Sequence, residues 1–281
     1  MTERLADISA RIDNVRQLDS VVIAMRGIAA SRAQQSRNHL AGIEAYSDAI
    51  TLAIGEALNF VERIPSSQAD PPSVGRALIV FCAEQGFAGG LSDRMLEAAG
   101  TVAPDTHFIV VGSRGAAIAS ERGFPVRRTI AMAAQIGGVP GVANLIADTL
   151  YARIVTGAIT RVDILYPWLD DGYDLHIERS PLFPIELDKF RRPRPALPPL
   201  KNLEAEKLIE QLAAEYVYAR LCEAAMHAFA AENQARMETM SAASTNIGRT
   251  LSELRQRENQ VRQEEVTAEI VELAASGQGL M

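Results

Sequence analysis

Apolar residues recur every three or four positions from the start of the chain: Leu5, Ile8, Ile12, Val15, Leu18, Val22, Met25 and Ala29. The stripe continues more weakly through Ala33, Leu40, Ile43, Tyr46, Ile50, Ile54 and Leu58. Such spacing predicts an amphipathic helix over residues 1–63, and no proline interrupts the chain before Pro65. At 1.5 Å per residue, about 60 helical residues reach about 90 Å, far beyond what a globular domain needs.

The far end repeats the pattern over residues 202–281, where no proline occurs. Its stripe runs Leu208, Leu212, Tyr216, Ala219, Cys222, Met226 and Phe229, then Met237, Met240, Ser244, Ile247, Leu251, Leu254, Glu258 and Val261. The second half alternates steps of three and four, which is a heptad seam. Val266, Ile270 and Leu273 are expected to finish it after a register shift. About 70 helical residues would span about 105 Å. A lone helix cannot bury such a stripe against itself. Two long helices can bury stripes on each other, and the intervening chain makes an antiparallel, left-handed pair the simplest arrangement. Two broken helices folded into a compact bundle would satisfy the same periodicity. Asp19, Arg26, Ser244 and Glu258 fall on or beside the seam, where polar residues cost stability and set register, or face a third partner.

Residues 76–190 read differently. Ala77–Cys82, Phe108–Val111, Val126–Ile130 and Val162–Tyr166 read as strands, and Leu175–Arg179 alternates like an edge strand. An alanine-rich helix follows Gly112–Gly115, and Val139–Ile159 has helical spacing. Strands alternating with helices predict a small, largely parallel, Rossmann-like α/β domain. The fold class is therefore α/β, with a long antiparallel coiled coil of the terminal helices. Clusters at Pro65–Pro72 and Pro193–Pro199 separate the three zones.

The chain has 281 residues, 28 basic and 35 acidic side chains and a net charge of −7. Hydrophobic residues make up 48% and charged residues 22%, as in ordinary globular proteins, whereas aromatics are only 5%, which favours helix packing over a β-sandwich. The acidic balance argues against a nucleic-acid partner. From Leu203 onward there are 13 acidic and 7 basic residues, so the acidity concentrates in the last helix. Cys82 and Cys222 sit far apart in apolar surroundings and read as buried thiols. No apolar run approaches the roughly 20 residues of a membrane helix, and the first residues carry charges where a signal peptide would be apolar.

Catalytic constellations are thin. Gln85–Gly90 and Gly112–Gly115 are glycine-rich turns after strands, but neither has the G-x-G-x-x-G spacing nor the G-x-x-x-x-G-K-[ST] form. They read as turns that need positive φ rather than as phosphate loops. His39, His107, His176 and His227 are scattered, and Asp170–Asp171 lies in a turn between Trp168 and Tyr173. No metal or cofactor is expected.

Several stretches together resemble the gamma subunit of F-type ATP synthases, the rotating central stalk. Ile23–Arg32 (IAMRGIAASR) is similar to that family's T-K-A-M-x-M-V-A-A-S/A-K. Glu232–Met240 resembles S-E-x-A-A-R-M-x-A-M, and Asn246–Leu254 falls where the family has N-A-x-x-L-I-x-x-L. Arg262–Glu272 resembles R-Q-A-x-I-T-x-E-L-x-E-I, and Gly112–Gly115 corresponds to G-S/R-K-G. The chain departs from the family where D-R-G-L-C-G-G becomes Glu84–Gly90 (EQGFAGG). It departs again where the basic run before Met25 becomes Asp19, Ser20, Val21, Val22 and Ile23, and where the I-V-G-G-A ending becomes Leu273–Gly277. These departures point to a divergent form, such as that of a sodium-translocating F-type ATPase.

The resemblance implies a non-catalytic rotor shaft, without cofactors, that couples ion translocation through a membrane ring to ATP synthesis or hydrolysis. Its partners would be the alpha and beta subunits, the epsilon subunit and the rotor ring, at the cytoplasmic face of a bacterial inner membrane. Met25, Arg32, Arg236, Arg255, Arg262, Gln263 and Thr267 are the implied beta-subunit contacts. Glu84, Gln85, Gly86 and Phe87 are the implied contacts to the ring or epsilon. A standalone coiled-coil adaptor and a nucleotide-binding enzyme built on the middle domain are the alternatives.

Overall fold

A computed structural model describes residues 5–61, 75–170, 174–190 and 200–277. Both proline clusters, and Asp171 and Tyr173 of the predicted turn, lie outside them. The elements run α1 (Leu5–Ala57), β1 (Arg76–Phe81), α2 (Leu91–Ala99), β2 (His107–Val111), α3 (Ser113–Glu121), β3 (Val126–Ile130), α4 (Val139–Ile154), β4 (Arg161–Leu169), β5 (Leu175–Phe183) and α5 (Ala205–Gly277). The chain packs as two units: Met1–Ala29 with Met237–Met281, and Ala30–Arg236. Each long helix contributes to both.

In the larger unit the strand order is β3-β2-β1-β4-β5. The first four strands are parallel, and β5 pairs antiparallel with β4 at the edge. β4 and β5 extend past the expected segments because they pair with each other as far as Leu169 opposite Leu175. Alternate side chains serve opposite faces. Leu78, Val80, Phe108 and Val110 pack with α2 and α3, burying Met95 and Leu96. Ile79, Phe81, Ile109, Val111 and Ile164 pack with α4 and with Leu221, Ala225 and Phe229 of α5. Being covered on both faces explains why these strands are near-continuous apolar runs. α4 stops five residues earlier than its spacing predicts, where Gly157 turns at φ +72° and donates its N–H to the Ile154 carbonyl.

Gly112 is required twice over. Its φ is +119°, and a Cβ there would lie 2.4 Å from the Cys82 carbonyl oxygen. Gly115 is required for packing alone: a Cβ would meet that of Cys82 at 2.0 Å. The turn is thus built for close approach of helix to strand.

The smaller unit is an antiparallel helix pair. Ile8, Ile12 and Val22 of α1 pack with Met240, Ile247, Leu251 and Val261 of α5, flanked by Leu5, Val15, Met25 and Leu254. Ser9 Oγ donates to Glu258 Oε1 at 2.7 Å, and Ser244 Oγ donates to Asp19 Oδ1 at 3.3 Å. Numbers rise on one helix as they fall on the other, which fixes the antiparallel sense. The pair replaces the compact bundle as the answer to the periodicity.

Two seam expectations are corrected. Leu18 is 53% exposed, and Asp19 takes the seam position because Val15, Asp19 and Val22 keep the alternation of four and three that Leu18 would break. Val266, Ile270 and Leu273 do not finish the seam; they are 49%, 60% and 71% exposed. The packed cluster runs from Leu5 to Val261 at that end, so α5 extends past the described start of α1.

Candidate functional site

β1 leads through buried Cys82 and Ala83 into the loop Glu84–Gly90. The loop is held from α5. Glu232 accepts the backbone N–H groups of Glu84 and Gln85, at 3.0 Å from Oε2 and 3.1 Å from Oε1. Arg236, one helical turn further on, pairs with Glu232. It also donates from Nε to the Gly86 carbonyl at 3.3 Å and from Nη1 to Asn233 Oδ1 at 3.3 Å. The two side chains are 7% and 6% exposed. A buried carboxylate is tolerated only when paired and hydrogen-bonded, and here both conditions are met by the loop and the next turn of the same helix.

Glu84 anchors the loop from the other side. Its Oε2 accepts the Ser113 N–H at 2.9 Å and the Met132 N–H at 2.7 Å, and its Oε1 accepts the Ser113 hydroxyl at 2.7 Å. A helix N-terminus attracts an anion, and at α3 that anion is the chain's own carboxylate. A phosphate would have to displace it, which counts against the nucleotide-binding alternative. Between these two anchors Phe87 points outward. It is 63% exposed and sits at φ +61°, the left-handed region that costs an L-residue about 1–2 kcal/mol. The aromatic ring therefore lies outside the core, on a turn held by a buried ion pair.

The other sequence-predicted residues lie along the helices. Met25 is half-buried against the seam, and Arg32 is half-buried further along α1. Arg255, Arg262, Gln263 and Thr267 are exposed on α5. Arg262 lies 3.9 Å from Glu258, and the Thr267 hydroxyl donates to the Gln263 carbonyl at 2.7 Å. Arg236 differs from these. A role as a partner contact expects exposure, but its guanidinium is enclosed by the clamp. Glu232, which completes that clamp, is not among the expected site residues.

An aromatic group lies where β4 and β5 meet α5. Trp168 stacks on His176 with centroids 4.9 Å apart, Tyr166 stacks on His227 at 6.0 Å, and His176 Nε2 lies 3.0 Å from Asp170 Oδ2. Burial lowers the pKa of His227, which disfavours its protonated form. No group of His, Cys, Asp and Glu among the described residues could hold a metal ion.

Comparison with known proteins meets this geometry directly. A family model described as ATP synthase matches residues 4–280. The ATP synthase gamma chain of Synechocystis sp. is 26% identical, over 98% of this chain and 99% of its own length. That of Frankia casuarinae is 27% identical, over 100% and 99%. A chain in the mitochondrial ATP synthase of Euglena gracilis, solved as OSCP/F1/c-ring, superposes with a TM-score of 0.65 at 14% identity, covering 98% of this chain and 94% of that one. A chain in the rotor of the same enzyme gives 0.64 at 15% identity, covering 93% and 98%. With a helix pair in one unit and a covered five-stranded sheet in the other, and a match over nearly its whole length, the chain belongs to the ATP synthase gamma-chain family, which supplies the central rotor shaft of that machine.

Proposed function

We propose that the chain is a non-catalytic shaft. Its helix pair stands inside a ring of three alpha and three beta subunits, and its turning makes their catalytic sites inequivalent. The observation that carries this is the antiparallel pair with polar residues locked into its seam. Ser9 with Glu258 and Asp19 with Ser244 fix one register, as a shaft that transmits torque without slipping requires. The apolar end of α5 supports enclosure, since Val266, Ile270 and Leu273 would otherwise face water. By this reading Arg255, Arg262, Gln263 and Thr267 meet the beta subunits, with Met25 and Arg32 on α1. The rotor ring and epsilon subunit engage the larger unit and hold the complex at the cytoplasmic face of a bacterial inner membrane. No helix among the described residues is long and apolar enough to cross a membrane, so attachment would come through the ring.

The loop Glu84–Gly90 keeps a partner role, with its residues divided. Glu84 and the backbone of Gln85 and Gly86 build the turn, Arg236 positions it, and Phe87 makes the contact. The exposed Phe87 on this loop is what supports a partner contact there.

Co-expression with the neighbouring alpha and beta genes tests the reading. Recovery of an ATP-hydrolysing complex through a tag on this chain is expected; failure to join any beta partner would contradict it. A photo-crosslinking group at Phe87 should capture another subunit of the complex, the ring and epsilon being those the resemblance implies, and no capture would contradict the contact role.

A further inference from the structure

Within the larger unit, the end of the sheet away from the Glu84–Gly90 loop is basic. β1 and β4 begin side by side there, with Arg76 and Arg161 paired in register. Two guanidiniums therefore leave one sheet face from strands about 4.8 Å apart, although like charges placed directly opposite destabilise a sheet. Arg179 of β5, in register with Leu165, joins them on that face. A single partly buried carboxylate serves the group. Asp163 accepts from Arg179 Nη2 at 2.9 Å and lies 3.7 Å from Arg161 Nε. Among the described residues Arg76 has no ion-pair partner. The three arginines and Asp163 line a cleft of about 350 Å³ with Thr101 and Thr106. Asp105, the other acid there, is exposed and screened by solvent. The basic character continues at β2 and β3, where burial lowers the His107 pKa and Arg153, Arg127 and Arg128 lower it further. In a chain of net charge −7, this end of the sheet is a local reversal of sign.

We infer that the cleft binds the phosphate group of a small phosphorylated compound, with Arg76 as its free donor and Arg161 and Arg179 completing the cradle. Guanidinium forks match phosphate oxygens two at a time and stay charged at any physiological pH. A phosphate near its dianionic form brings the three arginines and Asp163 to neutrality and relieves the repulsion between Arg76 and Arg161, whereas a carboxylate leaves one cation in excess. The cleft lies at the small end of ligand sites and has room for more than a bare phosphate. Among the described residues no aromatic ring lines it, so a nucleobase finds nothing to stack on and a sugar phosphate fits better. The contrast with the opposite end of the sheet is chemical: there Glu84 already fills the N-terminus of α3, whereas here one carboxylate is shared and one guanidinium is left over. The inference is independent of the shaft reading.

The test uses the full chain without alpha and beta subunits, because those bind phosphate in their own catalytic sites. Titrating inorganic phosphate by calorimetry in about 0.1 M sodium chloride should give half-saturation near or below about 1 mM, and ribose 5-phosphate should displace it. Arg76→Gln should weaken binding about tenfold, whereas Arg249→Gln, which removes the same charge from an exposed position of the other unit, should stay within about twofold. Asp163→Asn, which frees Arg161 and Arg179 while keeping the side-chain shape, should tighten binding about threefold or more. These opposite shifts at unchanged circular dichroism separate a binding role from a structural one. No heat with phosphate up to about 10 mM, equal losses in the two arginine variants, failure of ribose 5-phosphate to compete, or retention on phosphatidylglycerol vesicles without any binding of free phosphate would each overturn the inference.

Discussion

At the scale of single residues, the Glu232–Arg236 pair gives the sharpest prediction. Removing one partner of a buried ion pair strands the other, typically at about 3–5 kcal/mol. Arg236→Met should therefore unfold the larger unit at distinctly lower denaturant, whereas Arg255→Met, at an exposed position, should stay within about 0.5 kcal/mol. Equal effects would mean that Arg236 is not buried as described. Thiol chemistry gives a second prediction. Burial pushes the Cys82 thiol up to about 12 and also raises that of Cys222. Both should resist alkylation at neutral pH until the chain is unfolded, and rapid labelling of the native chain would contradict their packing. The clamp was only half legible in the sequence. Glu232 and Arg236 stand four apart just after the alanine-rich run Ala224–Ala231, in which every residue but His227 is buried, and that context marks a buried pair. Their targets, however, are backbone groups 147 to 150 positions away, and no local pattern encodes that distance.

At the scale of elements, the seam and the sheet were legible because each has its own period. Alternating threes and fours located Ile8, Ile12, Val22, Ile247 and Leu251 in the packed seam. Ser244 and Glu258 were marked as polar members of it, although Ser9, the partner of Glu258, carried no signal of its own. Buried parallel strands gave unbroken apolar runs at β1 and β2. Leu18 was misplaced by a single position because both choices are three or four from their neighbours, and only the heptad phase decides. The nine-residue α2 is too short for its periodicity to stand out.

Asp19→Leu combined with Ser244→Leu should stabilise the helix pair by about 2 kcal/mol, read as a raised melting temperature by circular dichroism. A lowered one would place these residues outside the seam. Along α5, His227 makes stability pH-dependent. Its folded pKa lies below the ordinary histidine value because of burial, so the unfolded chain binds the proton more readily. Stability is complete above about pH 6.5 and falls as pH drops towards the folded value. His227→Phe, which keeps an aromatic ring beside Tyr166, should flatten the loss between pH 7 and 5. An unchanged slope would assign that loss to other groups.

At the scale of the whole molecule, the formal charge of −7 and the long helices acquire a common meaning. Much of the acidity lies on α5, and α1 and α5 bury one another's apolar seam. A helix pair with exposed apolar residues at Leu18, Val21, Ile28, Ile270 and Leu273 is incomplete alone. It should gain stability from the subunits that bind it, by mass action. Ordinary globular enzymes bury such residues internally; a shaft buries them against its housing. As such a shaft, this chain must rotate within a ring of catalytic subunits. The most direct measurement attaches a probe to the larger unit of this chain in an immobilised complex with its alpha and beta subunits and supplies ATP. Unidirectional stepping that stops when ATP is withdrawn is the predicted result. A complex that hydrolyses ATP at the same rate with this chain fixed in place would contradict the account.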